Sequence, residues 1–396
     1  MMRASGLPQI VEISLVVGIW RRNNAHRVCG LRSLCVLSDQ KQPSYVSSID
    51  SAQAAAALAG CRSALVLTHA KPDGDATGSS LAIARTLLAL GKRVETWYIG
   101  PFPPWLDLAT GAVEVRKVGS TDGLPAAASF DLIVVVDTGS WSQLDLIARW
   151  LKGNESRTII LDHHLNGNVE IADRRLIVST AASTTQLITP VVAGALGLAG
   201  PRKLPLDIAT PLYMGMATDT GWFKFSNATA DTFRMAAELL DAGVNATDIY
   251  EMIEQQNNQS RPKLLGKALS SLEFDDDGRY AKMSLTLKDF DDVGAETEDS
   301  GGFAEHALSV HGVQVVVTLN ETTREGAFDP LTKVSMRSKP GPKAIDVASA
   351  CAKLGGGGHA RAAGVKLRVE LREAKAAVDG VIRQALRAMD SRIDLK

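Results

Sequence analysis

The chain has 396 residues, of which 45% are hydrophobic and 22% charged, and its formal net charge is −1. This length exceeds what one hydrophobic core usually serves, so we expect two domains, and the near-zero charge excludes a global field that would recruit long nucleic acid or an anionic membrane. Four cysteines without C-x-x-C spacing, and no run near the roughly 20 apolar residues of a spanning helix, favour a cytoplasmic protein with free thiols over a disulfide-bonded, zinc-binding or membrane protein.

The first 48 residues differ from the rest of the chain. Between Glu12 and Asp39 there is no acidic residue but there are four arginines, and the apolar run from Ile13 to Trp20 precedes them, the reverse of the order in a secretory signal. Such a segment is compatible with an organelle transit peptide, a disordered extension or an over-extended start. We favour the last two interpretations and expect residues 1–48 to be a disordered extension.

Strand and helix patterns alternate from Ala64 onward. Apolar runs predict buried strands at 64–68, 93–99, 132–136 and 158–161. Helical spacing predicts a helix from Asp75 to a C′ glycine at Gly91, and further helices at 183–196, 206–216 and 229–242. This alternation predicts an α/β fold with a doubly wound parallel sheet, in which ligands bind outside the carboxyl ends of the strands.

A polar segment from Gln255 to Pro262 predicts a linker, which we place at residues 256–263. We therefore assign residues 49–255 to a first domain and residues 264–396 to a second, smaller mixed α/β domain. In the second domain we expect strands at 280–287, 313–319, 333–337 and 365–369, and helices at 303–310, 344–354 and 371–389.

The first candidate for chemistry is T-H-A-K-P-D-G-D, which offers His69, Asp73 and Asp75 on a strand-to-helix loop. Imidazole and carboxylate together suit Mn²⁺ or a similar divalent ion better than a metal that prefers thiolates. We expect Gly74 to let the loop turn tightly between the two acids. The alternative is that Asp73 or Asp75 merely caps the following helix, and the motif alone does not decide between the two.

Three further acidic positions follow apolar runs. Asp137 ends D-L-I-V-V-V-D, where a carboxylate lies either at the mouth of the sheet or in a turn. The triplet Asp162-His163-His164 ends a buried strand; one imidazole can ligate metal, the other can meet the substrate, and the aspartate can orient an imidazole. Asp219 ends a helical pattern and supplies a last carboxylate, or only a helix-end turn. Two divalent ions roughly 3.5–4 Å apart in such a cage can drive phosphoester hydrolysis.

The second domain carries its own signal. Between Asp329 and Lys366 there are seven basic residues against two acids, and the segment Gly355–Gly364 begins with four glycines. Four glycines cost backbone entropy, which close approach of backbone N–H groups to an anion would explain. Arg337 and Arg361 could grip a phosphate beside His359. The alternative is a flexible loop with a solvated basic face; we favour phosphate or nucleotide capture.

These motifs resemble the DHH phosphoesterase family, in the subgroup that carries a DHHA1 domain, and within it the bifunctional oligoribonucleases and 3′-phosphoadenosine 5′-phosphate (pAp) phosphatases of the nanoRNase A type. The matching segments are H-A-K-P-D-G-D-A-T-G-S, V-V-D-T-G, D-H-H, D-T-G-W-F-K-F-S-N, V-S-M-R-S and G-G-G-G-H-A-R-A-A-G. The match covers nearly the whole chain from about residue 49 onward. It implies a DHH catalytic domain at 49–255 and a DHHA1 substrate-binding domain at 264–396, with a cleft between two lobes, and often a homodimer.

The resemblance also implies roles for individual residues. One manganese would be bound by His69, Asp73 and Asp137, and the other by Asp75, Asp137, His163 and Asp219, with Asp137 bridging. His164 would face the scissile phosphate and Asp162 would orient the pair of histidines. The nucleotide would be held from the second domain by Ser335, Arg337, Gly356, Gly357, Gly358, His359 and Arg361.

Two departures from the family pattern do not touch a metal position. After V-V-D-T-G the chain reads S-W-S-Q, where the family often has an arginine, which puts a substrate contact in doubt. Gln186 stands where a glutamate is expected, which puts a helix contact in doubt.

The function that we predict is a two-metal, manganese-dependent phosphoesterase for short oligoribonucleotides and pAp. Only 5% of the residues are aromatic, which argues against the extended stacking groove of a processive single-strand exonuclease. Hydrolysis of cyclic dinucleotides or their linear products is an alternative that the sequence does not separate cleanly. An inorganic pyrophosphatase would not need the glycine run. A non-catalytic nucleotide sensor would be expected to lack metal ligands.

Overall fold

The computed structural model describes residues 44–324, 327–341 and 344–393. Residues 1–43 of the expected extension therefore lie outside the described part of the chain. Among the residues that are described, no helix combines the length and apolar character needed to cross a bilayer.

The first lobe is built on a six-stranded sheet in which every pair of neighbours is parallel. The strands are β1 (Ser63–Leu67), β2 (Arg93–Ile99), β3 (Val115–Val118), β4 (Leu132–Val136), β5 (Thr158–Asp162) and β6 (Arg174–Ile177). Their order in the sheet is β3-β2-β1-β4-β5-β6, so the order reverses between β1 and β4. This confirms the predicted α/β fold with a parallel sheet.

Helices cover the sheet because successive residues of its central strands point to opposite faces. Val66 and Val134 pack in one buried cluster with the longer helices, whereas Leu65 and Ile133 pack in another with Trp97. Both faces are therefore apolar, which explains the continuous hydrophobic runs of the central strands. The helices are α1 (Ser51–Gly60), α2 (Gly74–Ala89), α3 (Leu106–Thr110), α4 (Ala148–Leu151), α5 (Thr184–Ala195), α6 (Leu206–Asp219), α7 (Ala230–Asp241) and α8 (Ala246–Glu254).

Residues 45–48, which we assigned to the extension, run beside the edge strand β6. The backbone N–H of Ser48 donates to the carbonyl of Arg175 at 2.8 Å. Ser47 Oγ donates to the carbonyl of Ile177 at 2.9 Å and accepts from its N–H at 2.8 Å. The two serines thus attach this short segment to the first lobe.

The polar segment that we predicted as a linker lies between α8 and the next helix, and its last residues, from Ser260, begin that helix. The helices of the second lobe are α9 (Ser260–Ser270), α10 (Leu287–Val293), α11 (Ala304–Leu308), α12 (Val347–Ala352) and α13 (Leu371–Ile393). Its strands are β7 (Glu273–Phe274), β8 (Tyr280–Leu285), β9 (Val315–Arg324), β10 (Ala327–Ser338), β11 (Gly357–His359) and β12 (Ala362–Leu367). These strands form a mixed sheet with the order β11-β12-β10-β9-β8-β7.

Glycines let α2 and α6 cross at close range. A Cβ on Gly78 would lie 2.3 Å from the carbonyl oxygen of Pro211, and a Cβ on Gly74 would lie 2.2 Å from the hydroxyl oxygen of Thr218. Gly74 does not have a positive φ, so our expectation that it serves a tight turn was wrong. Its role is to make room for α6, because any side chain there would meet Thr218.

Gly78→Ala tests this helix crossing. The added Cβ would overlap the backbone of α6 at Pro211, so we expect the variant to lose about 1–3 kcal/mol of unfolding free energy. Gly266→Ala is the matched control, because it lies inside α9 with nothing within 4 Å of the added Cβ; it should gain about 0.5–1 kcal/mol. Urea unfolding measures both, and equal effects of the two substitutions would contradict the close crossing.

Candidate metal centre

Three strands of the first sheet end beside acidic or imidazole side chains at one edge. His69 lies two residues after β1, Asp137 directly follows β4, and Asp162 ends β5. Strands β1 and β4 are neighbours at the reversal of strand order, where open α/β sheets bind ligands. Asp137 has a φ of 61°, a left-handed conformation that is uncommon outside glycine. The fold therefore holds this carboxylate on a strained backbone, as functional sites often do.

The first group of candidate metal ligands combines His69, Asp73 and Asp137, whose ligand atoms lie within 4.8 Å of one another. His69 Nε2 lies 3.4 Å from Asp137 Oδ2 and 3.8 Å from Asp73 Oδ1. The side chain of Asp73 also caps α2, since its Oδ1 accepts from two backbone N–H groups of the first turn. Capping and metal binding, which we treated as alternatives, are compatible, because both capping bonds use only Oδ1.

The second group combines Asp75, His163 and Asp219, which lie in the first turn of α2, after β5 and at the end of α6. His163 Nε2 lies 3.6 Å from Asp219 Oδ2 and 4.0 Å from Asp75 Oδ2. The same nitrogen lies 3.6 Å from Asp137 Oδ1. Asp137 therefore borders both groups, in the position of a carboxylate that two cations could share.

The amino end of α5 holds Asp75, which is 1% exposed. Its Oδ2 accepts from the N–H of Thr184 at 2.6 Å and its Oδ1 from the N–H of Thr185 at 2.9 Å. The hydroxyl of Thr184 donates to Asp137 Oδ1 at 2.9 Å. Free N–H groups at a helix start favour a negative charge. Our sequence analysis missed these threonines, although S-T-T before a helical pattern is a helix-start signal.

His164 and Asp162 form a pair beside the two groups. His164 Nδ1 donates to Asp162 Oδ1 at 2.7 Å. The side chain of His164 is 54% exposed, compared with 15% for His163. The adjacent histidines thus point in different directions. His164 also forms a third group of candidate ligands with Asp137 and His163, so its assignment to the substrate stays a prediction.

Burial and mutual repulsion perturb the titration of the carboxylates. Burial, followed by the neighbouring charge of Asp75, raises the pKa of Asp137 well above its usual value. Burial, followed by the charges of Asp75 and Asp73, raises the pKa of Asp219 to about 7. Burial alone would lower the pKa of His69, but hydrogen bonds with Asp137 and Asp73 raise it to about 11. Without a cation the cluster therefore retains protons, because too many negative charges share one place.

The donor set suits a divalent cation. It consists of imidazole nitrogens and carboxylate oxygens, the ligands of Mn²⁺ and similar ions. His69 Nδ1 lies 2.9 Å from the carbonyl oxygen of Ala70, and His163 Nδ1 lies 3.3 Å from that of Ala181. A carbonyl can only accept, so each Nδ1 donates and Nε2 is left for a metal, the usual arrangement at metal-binding histidines. The cluster could therefore hold metal.

Two of the residues that we predicted to hold the nucleotide, Ser335 and Arg337, lie on β10 of the second sheet. Together with Lys333 they occupy alternate positions of this strand and are partly exposed. Directly opposite Ser335 and Arg337 stand Gly364 and Ala362 of β12. The neighbours of these polar side chains on β12 are therefore small. The intervening residues of β10 face the buried cluster that includes α12 and α13.

The end of the glycine run is a strand, unlike the flexible loop that was the alternative to phosphate capture. Residues Gly357–His359 form β11, the edge strand, paired antiparallel with β12. A Cβ on Gly356 would lie 2.4 Å from the carbonyl oxygen of Gly364, and Gly358 has a φ of +143°. Close packing and backbone conformation thus require glycine at these two positions. His359 and Arg361 are exposed, and Arg361 Nη1 donates to the carbonyl of Ile345 at 3.1 Å.

Gln186, one of the two departures from the family pattern, acts as an acceptor between helices. Its Oε1 accepts from the N–H of Ala182 at 2.8 Å and from the hydroxyl of Thr232 at 3.2 Å. A glutamate could accept both bonds equally well, so the substitution preserves the contact that we had questioned.

Comparison with known proteins places these features in a family. The model of the DHH family, N-terminal domain, matches residues 63–216, and that of the DHHA1 domain matches residues 280–384. The bifunctional oligoribonuclease and PAP phosphatase NrnA of Thermus thermophilus is 33% identical over 322 residues, 81% of this chain and 89% of that protein. The protein with the same description from Bacillus subtilis is 23% identical over 299 residues, 76% and 87% of the two chains.

A solved structure supports the fold independently. The crystal structure of an exopolyphosphatase-related protein from Bacteroides fragilis has a TM-score of 0.74 at 24% identity. The match covers 84% of this chain and 95% of that chain. At this identity the likeness shows the fold alone.

Asp219→Asn should stabilise the metal-free protein in a pH-dependent way. Folding raises the pKa of this carboxyl from 3.8 to about 7, so the folded protein binds an extra proton between these values and stability falls as pH rises through them. The neutral amide of asparagine does not ionise, so the variant does not lose this stability as the pH rises. The thermal midpoint of the variant should therefore exceed that of the wild type by a margin that grows from pH 4 to about pH 7 and then stays constant.

A divalent cation should reverse the higher thermal midpoint of Asp219→Asn. Cation binding to the folded state stabilises the wild type, whereas the variant lacks one ligand. Asp122→Asn, in an exposed loop, is the control and should respond to cation as the wild type does. A wild type whose thermal midpoint is unchanged by cation would contradict the metal centre.

Proposed function

The chain belongs to the DHH/DHHA1 phosphoesterase family, and from that membership we propose that it is a manganese-dependent enzyme that hydrolyses short oligoribonucleotides to mononucleotides and pAp to AMP. Two relatives that it resembles over most of their length are described as bifunctional oligoribonuclease and PAP phosphatase. A homodimer and a cytoplasmic location stay predictions.

The observation that carries the proposal is the position of Asp137 between two groups of candidate ligands. One group contains His69 and Asp73, and the other contains His163, whose Nε2 lies 3.6 Å from Asp137. We propose that the two groups bind one Mn²⁺ each and share Asp137. A bound pair of divalent cations would supply an activated water and neutralise charge on the phosphate.

The remaining residues of the site would orient the substrate. We assign His164 to the scissile phosphate, because its ring is the more exposed of the two histidines while its Nδ1 is held by Asp162. Because Nδ1 donates to Asp162, the doubly protonated ring would donate from Nε2 to a phosphate oxygen whose charge increases during the reaction. Asp162 keeps the ring in one orientation.

The second lobe would hold the nucleotide. Lys333 and Lys366 stand directly opposite each other on β10 and β12, beside Ser335 and Arg337. Like charges in directly opposite positions destabilise a sheet, so an anion between them would be favourable. We propose that this face, with Gly356, the edge strand β11 (Gly357–His359) and Arg361, binds the phosphate and sugar groups that are not cleaved.

A substrate panel tests the proposed function. The protein would be incubated with Mn²⁺ and pAp, di- to pentaribonucleotides, or linear and cyclic dinucleotides, and phosphate and mononucleotides would be measured. We expect turnover of pAp and of the short oligoribonucleotides, and none by Asp137→Ala, because both groups lose a ligand.

Preferential cleavage of cyclic dinucleotides would support the phosphodiesterase alternative, and nucleotide binding without turnover would support a sensor. Full activity of Asp137→Ala would refute the shared-ligand role.

Arg337→Ala should weaken substrate binding more than it slows the chemical step. The arginine lies on the second sheet, among residues that we assign to binding, so we expect KM to rise about tenfold with kcat nearly unchanged. Arg387→Ala is the control, since this exposed arginine lies on α13, the helix packed on the opposite face of the sheet. A large fall in kcat at constant KM would contradict the assignment.

A further inference from the structure

Tyr45 is joined to His164 through a buried carboxylate. The hydroxyl of Tyr45 donates to Asp162 Oδ2 at 2.7 Å, across 117 positions of sequence. The other oxygen of the same carboxylate accepts from His164 Nδ1 at 2.7 Å and from its backbone N–H at 3.2 Å. Asp162 is 0% exposed. A buried carboxylate that is bonded on both oxygens cannot rotate without losing a hydrogen bond, which is costly away from water.

Two glycines make the space that the ring of Tyr45 occupies. A Cβ on Gly139 would lie 1.9 Å from the hydroxyl oxygen of Tyr45, and a Cβ on Gly167 would lie 2.5 Å from its ring carbons. Neither glycine has a positive φ, so backbone conformation does not require glycine there. The backbone N–H of Asn168 donates to the carbonyl of Gly139 at 2.6 Å and ties the two loops together. The loops after β4 and β5 therefore form a socket for this ring.

The backbone next to Tyr45 is also anchored. Ser47 and Ser48 exchange hydrogen bonds with β6, at Ile177 and Arg175. These bonds restrict where Tyr45 can lie, two residues upstream. The tyrosine thus reaches Asp162 from a segment that is attached independently of the ring.

We propose that Tyr45 is a positioning residue that holds Asp162, and through it His164, in the orientation required for phosphoester hydrolysis. This inference rests on the proposed function and deepens it. With Asp162 immobilised, the proton of His164 stays on Nδ1 and Nε2 is directed away from the carboxylate, towards the substrate. Tyr45 itself touches neither substrate nor cation.

Tyr45→Phe tests the proposal, because it keeps the ring in its socket and removes only the hydroxyl. At saturating Mn²⁺ we expect kcat to fall about tenfold while KM changes less than about twofold. Tyr280→Phe is a matched control: its hydroxyl donates to Asp379 at 2.9 Å in the second lobe, and its loss should leave kcat unchanged. Equal kcat values for Tyr45→Phe and the wild type would overturn the proposal.

A double variant separates positioning from general destabilisation. If Tyr45 acts through His164, then adding Tyr45→Phe to His164→Ala should change the remaining activity less than about twofold. The same tenfold fall in the His164→Ala background would mean that Tyr45 acts by another route. Gly167→Ala is a second test, because the added Cβ would displace the ring of Tyr45. This variant should reduce kcat at least as much as Tyr45→Phe.

A spectroscopic measurement keeps this inference distinct from the proposed function. In ¹⁵N-labelled, metal-free protein the imidazole signals of His164, assigned with the His164→Ala variant, should show a proton on Nδ1, and Tyr45→Phe should shift or broaden them. If no substrate of the panel is hydrolysed, the proposed function fails, and the imidazole signals still decide whether Tyr45 positions His164. If the substrates are hydrolysed and both kcat and the signals are unchanged in Tyr45→Phe, only the inference fails.

Discussion

Mutual repulsion among buried carboxylates is the constraint around which the first lobe is organised. Asp75 and Asp137 are nearly inaccessible to water, and Asp219 and His163 lie against them. Such an arrangement costs free energy unless a positive charge joins it, because burial and like charge both oppose ionisation. The clustered charges therefore lower the stability of the folded lobe when no cation is bound. Such local destabilisation is common where the arrangement of side chains serves a function.

Backbone and helix packing hold the acids against that repulsion. The amino end of α5 donates two N–H groups to Asp75, and a left-handed backbone turns Asp137 back towards the sheet edge. The glycines of α2 let α6 approach closely enough for its last residue, Asp219, to complete the group. Each of these features belongs to the main chain, which places the Cα atoms of the three acids close together.

In the function that we propose, the first lobe binds the metal ions and the second lobe binds the nucleotide. The parallel sheet gathers ligands at its reversal point, whereas the mixed sheet presents alternate polar residues opposite small ones. In the first lobe, Tyr45 links a segment upstream of the parallel sheet to the exposed histidine through Asp162. The socket formed by Gly139 and Gly167 shows that a residue distant in sequence from the D-H-H motif can be built into its surroundings.

The sequence by itself determined the central strands, the acids and histidines that follow them, and the family, because buried parallel strands are apolar throughout and metal ligands recur in short motifs. It did not predict β3 and β6, the two edge strands, whose charged residues (Arg116 and Lys117, Arg174 and Arg175) interrupt the apolar pattern. Only the tertiary structure shows that Gly74 makes room for α6, that the end of the glycine run forms a strand, and that Thr184 and Tyr45 reach the acids. These features depend on contacts between segments that are distant in the chain. A local sequence pattern does not indicate which distant backbone group or hydroxyl will lie beside it.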